Sequence, residues 1–157
     1  MWLEGLDTKL HTFDLFRLPY SNASRVWIGS QYPGRVTFHH GRSQDTLPHF
    51  SSAVQAGREP KCDVWFVDGW HNQGGPLTDL KHALRTASDG ATIIADDCTK
   101  RFPAVMSAWR TVLQWGQISG AYNFTIDLPP PGGTKGWCVG RYEPRQEKVK
   151  SEIRRLV

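Results

Sequence analysis

The sequence predicts an α/β fold with a mostly parallel sheet, helices on both faces and a C-terminal antiparallel hairpin. Three observations carry this. Short apolar runs alternate with stretches of helical periodicity along the chain. Two runs, Cys62 to Val67 and Ala91 to Ala95, are almost continuously apolar, as expected of strands covered on both faces. Two last strand-like segments, Tyr122 to Asp127 and Gly136 to Tyr142, flank Pro129-Pro130-Pro131-Gly132-Gly133 and read as adjacent antiparallel strands joined by a loop.

The elements follow in order. Lys9 to Phe16 reads as a strand. Ser21 is positioned to cap a helix in which Ala23, Val26 and Trp27 recur at helical spacing. After the Tyr32-Pro33-Gly34 turn, Arg35 to His40 is a second strand. Leu47, Phe50 and Val54 form the apolar stripe of a short helix closed by Gly57. Following the strand Cys62 to Val67, Pro76 suits a first helical turn. Leu77, Leu80, Leu84 and Ala87 then share one face up to a break at Ser88-Asp89-Gly90. Pro103 opens a further helix, with Val105, Trp109, Val112 and Leu113 turned inward and Gly116 at its end. Residues 143–157 form a basic tail, with Glu147 to Val157 as a terminal helix. Right-handed crossovers bring helices to both faces of such a sheet.

A chain of 157 residues suits one domain able to bury a sizeable core. Hydrophobic residues at 39% and charged residues at 22% exclude wholesale disorder. No apolar run is long enough for a membrane helix, and the first residues lack the pattern of a signal peptide. The net charge of +4 sits largely in the tail from Arg141 to Arg155, which argues for a solvated basic helix rather than nucleic-acid binding. Cys62, Cys98 and Cys138 are too few and too scattered for a disulfide framework or a zinc knuckle. Each is expected to pack as a small apolar residue, and reduced thiols fit a cytoplasmic protein. Asn22-Ala23-Ser24 and Asn123-Phe124-Thr125 match the glycosylation pattern, which matters only in a secreted chain.

Ligands of open α/β sheets bind beyond the carboxyl ends of the strands. Those positions hold Asp14, then Gly41-Arg42-Ser43, then Asp68-Gly69-Trp70-His71, then Asp96-Asp97. Asp68, Asp96 and Asp97 follow two neighbouring buried strands, so three carboxylates converge at one sheet edge. Such hard oxygen donors suit Mg²⁺ or Ca²⁺, and their mutual repulsion calls for a cation or a raised pKa. Each aspartate taken singly also suits a turn or helix cap. His71, in a polar turn three residues beyond Asp68, has the chemistry of a general base, or of a loop histidine bonded to a carbonyl. Asp14 at a strand end can accept bonds from ribose hydroxyls. Trp70 either faces a cationic ligand or fills space. His39 and His40 alternate on a strand, His82 lies on a helix surface, and no partner for His11 or His49 is evident from sequence.

The run Val64-Trp65-Phe66-Val67-Asp68-Gly69-Trp70-His71, followed by Asp79-Leu80 and by Gly90-Ala91-Thr92-Ile93-Ile94-Ala95-Asp96-Asp97, resembles the class I S-adenosylmethionine-dependent methyltransferases. The likeness is to the branch with metal-assisted O-methyltransferases of the catechol and macrolide-sugar type. Thr12-Phe13-Asp14 resembles the family's second strand with its ribose-binding acid. Gly41-Arg42-Ser43-Gln44-Asp45-Thr46-Leu47-Pro48 resembles the segment after its third strand. The resemblance spans roughly residues 8–142. It implies a Rossmann-like domain over 1–142, a cofactor held by Asp14, Gly41, Arg42, Ser43, Asp68 and Trp70, a divalent cation such as Mg²⁺ on Asp68, Asp96 and Asp97, and His71 as the base. Its implied reaction is methyl transfer to an oxygen of a small-molecule acceptor.

Two features depart from the family's pattern. Arg42 stands where an acidic residue usually contacts the adenosyl group. The family's first strand and its Gly-x-Gly-x-Gly turn do not precede Lys9. That strand is central in the family's sheet, so without it the sheet is expected to divide into a two-stranded and a four-stranded piece with open edges. The corresponding expectation is a fragment or truncated gene model, the other option being a module whose gap a rearrangement or a partner chain fills, with homo-oligomer formation open. The alternatives are a truncated, non-catalytic methyltransferase-like binding module and a carboxylate-metal-phosphate enzyme of another class. The absence of a Gly-x-x-x-x-Gly-Lys loop weighs against nucleotide hydrolysis.

Overall fold

The computed structural model describes residues 7–72 and 74–144. Along the chain run β1 (Leu10–Asp14), α1 (Pro19–Gln31), β2 (Val36–His40), α2 (Ser43–Gln55), β3 (Cys62–Val67), α3 (Gly75–Thr86), β4 (Ala87–Ala95), α4 (Pro103–Gln114), β5 (Ile118–Leu128) and β6 (Gly133–Tyr142). The alternation of strand and helix and the terminal hairpin are as the sequence predicts. The expected helix from Glu147 to Val157 lies outside the described residues.

The described strands form two sheets, one of two strands and one of four, the division expected from the sequence. They fall in two compact units, residues 1–52 and 53–157. In the first, β1 and β2 pair in parallel from Leu10 with Val36 to Asp14 with His40. Leu47 and Phe50 are its buried apolar side chains. Phe50 meets His11, Phe13 and His39 in an aromatic cluster, and the rings of His11 and His39 approach to 3.1 Å. His11 therefore has a partner, across two strands that are distant in sequence. The first strand is shorter than expected. Phe16 adopts a positive φ of 48°, and its N–H donates to the Asp14 side chain at 2.8 Å, an Asx turn that ends β1.

Helix α1 differs from expectation. It starts at Pro19 after Leu18, with no side-chain cap, so Ser21 lies inside it. None of its residues is buried, and Val26 and Trp27 stand exposed.

In the second unit the strand order is β3-β4-β6-β5. β3 and β4 are parallel; β6 runs antiparallel to both β4 and β5. Helices α3 and α4 pack on each other, with α3 against β3 and β4 and α4 against β5. Leu80, Ile93 and Val112 are fully buried, joined by Leu84, Val105 and Trp109. The inward stripes read from the sequence of α3 and α4 supply most of these.

Three expectations for this unit need correction. β3 is not covered on both faces: Trp65 is buried, but Val64 and Phe66, which alternate with it and so face the other way, are exposed. Ser88-Asp89-Gly90 does not break the chain but belongs to β4. Ala87 pairs with Cys62, and the Ser88 hydroxyl donates to the Asp63 carboxylate at 2.6 Å. Gly90 takes φ +80° there, a conformation that favours glycine. Finally, Cys98 and Cys138 form a disulfide, contrary to the reading of three separate thiols. The antiparallel pairing of Ala95 with Cys138 brings the two Cα atoms to 5.5 Å across 40 residues of sequence. That proximity is invisible in the spacing. Cys62 remains free, and burial, with Asp63 and Glu59 nearby, pushes its thiol up to about 11.

Candidate functional site

Parallel pairing builds the site. Val67 stands opposite Ala95, so the chain leaves β3 and β4 side by side. The Asp96 N–H donates to the Val67 carbonyl at 2.9 Å, which holds Asp96 next to Asp68. Asp97 then turns with φ 53°, in the left-handed region that aspartate tolerates better than most residues. Two bonds fix that turn: Thr99 N–H to Asp97 O at 2.7 Å, and Cys98 N–H to Gly136 O at 2.9 Å. Gly136 must be small, since a Cβ there would lie 2.7 Å from the Thr99 methyl group.

His71 sits between the two strand ends. Its Nε2 lies 3.2 Å from Asp68 Oδ1 and its Nδ1 3.4 Å from Asp97 Oδ2. The ring packs edge-on against Phe102 at 4.8 Å. A neutral imidazole donates through one nitrogen only, so the two carboxylates compete for it. The turn before α3 is tight: a Cβ on Gly75 would fall 2.5 Å from the Trp70 carbonyl oxygen.

The structure adds a residue that the sequence reading missed. Lys135 of β6 donates from Nζ to Asp97 Oδ1 at 2.9 Å and approaches Asp96 Oδ2 at 3.5 Å. The bond to Asp97 holds its ammonium above the ordinary lysine range, against a smaller opposing effect of burial. Lys135 is 38 residues from Asp97 in sequence, and no motif marks it. The opposite electrostatics act on Asp68. Burial first, then the Asp96 carboxylate, raise its pKa, while His71 lowers it. Asp96 is buried, and its Oδ1 has no hydrogen-bond partner.

Asp68, His71 and Asp97 thus form one group whose donor atoms all lie within 4.8 Å of one another, with Asp96 tied in through Lys135. Two carboxylates and one imidazole make up this group; Asp96, named with Asp68 and Asp97 from the sequence, is not part of it, although its partnerless Oδ1 is a further acceptor for a hard divalent cation. The residues present fit such an ion. A recess of only about 10 Å³, room for roughly one water molecule, opens beside His71 and Asp96, lined by Val67, Gly69, Pro76, Leu80, Ala95 and Val105. That is below the roughly 300–1,000 Å³ of a small-molecule pocket. Trp70 stands exposed, so it does not fill space in the core.

The remaining sequence-predicted residues belong to the first unit. Asp14 ends β1 with an exposed side chain, and its carbonyl accepts the Gly41 N–H at 3.1 Å. Gly41 has φ +149°, and a Cβ there would lie 2.9 Å from the Thr46 methyl group. Arg42 is exposed, and its carbonyl accepts the N–H groups of Asp45 and Thr46 as α2 begins at Ser43.

Comparison with known proteins agrees with this architecture. Residues 3–98, more than half of the chain, match a family described as a methyltransferase domain. No curated protein sequence matches the chain. Among solved structures, an O-methyltransferase from Bacillus cereus in complex with SAH aligns with a TM-score of 0.66 at 14% identity, over 85% of this chain and 62% of that one. The O-methyltransferase TomG from Streptomyces achromogenes, involved in tomaymycin synthesis and solved with SAM, aligns at 0.60 and 21% identity, over 87% and 62%. The N-methyltransferase NodS from Bradyrhizobium japonicum aligns at 0.58 and 9% identity, over 87% and 74%. The chain therefore spans 62% of the length of the first two. At these identities the likeness establishes the fold, and the same fold serves oxygen and nitrogen acceptors. With Asp14 at the end of β1, Asp68 and Asp96 directly after β3 and β4, a matched family domain and these structural relatives, the chain belongs to the methyltransferase-domain family and has the class I S-adenosylmethionine-dependent methyltransferase fold.

Proposed function

We propose that this chain serves S-adenosylmethionine-dependent methyl transfer to an oxygen of a small-molecule acceptor, assisted by a divalent cation such as Mg²⁺. The observation that carries the reading is His71 suspended between Asp68 and Asp97 at the paired ends of β3 and β4. Asp68, Asp96 and Asp97 would hold the cation. Bound together, the cofactor would supply an electrophilic methyl group and the cation would lower the pKa of the acceptor hydroxyl. The chain's own residues do the rest. One carboxylate accepts a hydrogen bond from the His71 ring and fixes its orientation. The other ring nitrogen takes the hydroxyl proton, and the neighbouring carboxylate stabilises the imidazolium that results. Asp14 accepts from the ribose hydroxyls. In the same unit, Gly41, Arg42 and Ser43 would meet the adenosyl portion; in the second unit, Asp68 and Trp70 are the residues that the family resemblance assigns to the cofactor, and the exposed Trp70 indole can face a positive sulfonium.

Calorimetric titration of the chain with S-adenosylmethionine, with and without Mg²⁺, tests this. Saturable binding is expected, and the His71→Ala chain should bind the cofactor as tightly as the wild type, because His71 acts on the acceptor. A folded chain that takes up no cofactor would sink the catalytic reading. It would favour a non-catalytic binding module, which the outer edge of β3, paired with no other strand among the described residues, supports.

A further inference from the structure

Lys135 is the least expected member of the acidic group. It comes from β6, opposite Ile126 of β5, and its position is set by strand pairing rather than by the turns that carry the acids. Its neighbour Gly136 accepts the Cys98 N–H, and Cys138 is bonded to Cys98 two residues further on. These ties hold the backbone of β6 against the Asp96-Asp97-Cys98 turn. The Lys135 side chain reaches back from there to Asp97 Oδ1 and Asp96 Oδ2. Asp96 and Asp97 are buried acids on adjacent residues, and such a pair needs positive charge nearby. Lys135 is the described ammonium bonded to them. Its side chain is 40% exposed while those of Asp96 and Asp97 are 8% and 11% exposed. The stem can therefore swing into water while the acids stay where they are.

We propose that Lys135 is a resident counter-ion that competes with the divalent cation for Asp97, so that it lowers and sets the metal affinity of the site. The inference rests on the metal-assisted reading above and deepens it. A divalent ion arriving at Asp97 meets an ammonium already bonded to Oδ1, and like charges held a few ångströms apart repel. In metal-free chain Lys135 keeps the acids paired. In loaded chain it turns outward. Lys135 is thus a positioning residue and does not itself touch the methyl acceptor.

The experiment is titration of the purified chain with Mn²⁺ in the absence of cofactor and acceptor, followed by calorimetry and by the paramagnetic relaxation of water. The chains compared are the wild type, Lys135→Met, Lys135→Arg and Asp97→Asn. Lys135→Met keeps the apolar stem and removes the charge; it should bind Mn²⁺ roughly tenfold or more tightly than the wild type. Lys135→Arg keeps the charge and should stay near the wild type, which separates charge from packing should the methionine chain prove less stable. Asp97→Asn should bind weakly or not at all. Equal affinity of wild type and Lys135→Met, with binding lost in Asp97→Asn, would overturn the competition and leave the metal reading standing. Failure of every chain to bind Mn²⁺, or binding that survives in Asp97→Asn, would overturn the metal reading and the competition together.

Discussion

The two compact units differ in how their helices use apolar residues. In residues 53–157, α4 turns Val105, Ala108, Trp109 and Val112 inward, and all four are buried. In residues 1–52, α1 has apolar residues at comparable spacing and buries none of them. Its Trp27 is 54% exposed, against 4% for Trp109. Periodicity says which side chains can share a face. Burial also needs a surface to receive that face, and a two-stranded sheet offers less of one than a four-stranded sheet with a second helix. The chemistry follows the same division. The gathered acids, His71 and Lys135 all stand in the second unit, on the best-supported strands.

The largest test of that contrast is a pair of tryptophan substitutions. Trp109→Ala should cost about 3–5 kcal/mol in urea denaturation, the range for truncating a buried aromatic residue. Trp27→Ala should change stability by less than about 0.5 kcal/mol, as for a surface position. Similar losses at the two sites would mean that α1 is covered in solution and the contrast is false.

Next in size is the covalent tie of the second unit. Cys138→Ser opens the 40-residue loop to Cys98 and should cost roughly 2–4 kcal/mol, measured by thermal unfolding. Equal stability of wild type and variant, with or without a dithiol reductant, would show that the tie adds nothing to this unit.

The smallest effect concerns charge. Burial and Asp96 raise the pKa of Asp68, so folding disfavours its ionised form. Its stabilising contribution is complete below the unfolded carboxylate range, near pH 4, and is lost as pH rises through the folded value. Asp68→Asn should therefore be more stable than the wild type at pH 7, and the gap should close as pH falls toward 4. The side chain is half exposed, so solvent screening limits the gain to less than about 1 kcal/mol. A gap that widens on acidification would reverse the sign of the argument.

Much of the fold was legible because local signals coincide with the elements. Pro76 and Pro103 fall in the first turns of α3 and α4, and the stripes at Leu80, Leu84, Val105 and Trp109 are buried as their spacing requires. Even the division into sheets of two and four strands followed from the strands present. The boundary of β4 was not legible. Ser88-Asp89-Gly90 reads as a break until pairing with β3 absorbs it. Of the candidate site, Asp68, His71 and Asp97 were visible because their motifs are local to the ends of two strands.

By sequence alone, then, this protein's strand-helix alternation, its family likeness and the acids at its strand ends were determined, since each rests on residues close together in the chain. The tertiary structure decided which acids meet, that Lys135 joins them, that Cys98 pairs with Cys138, and that β3 ends its sheet with Val64 and Phe66 exposed. Each of these depends on strand order and register, which bring together residues tens of positions apart with no spacing to announce the contact.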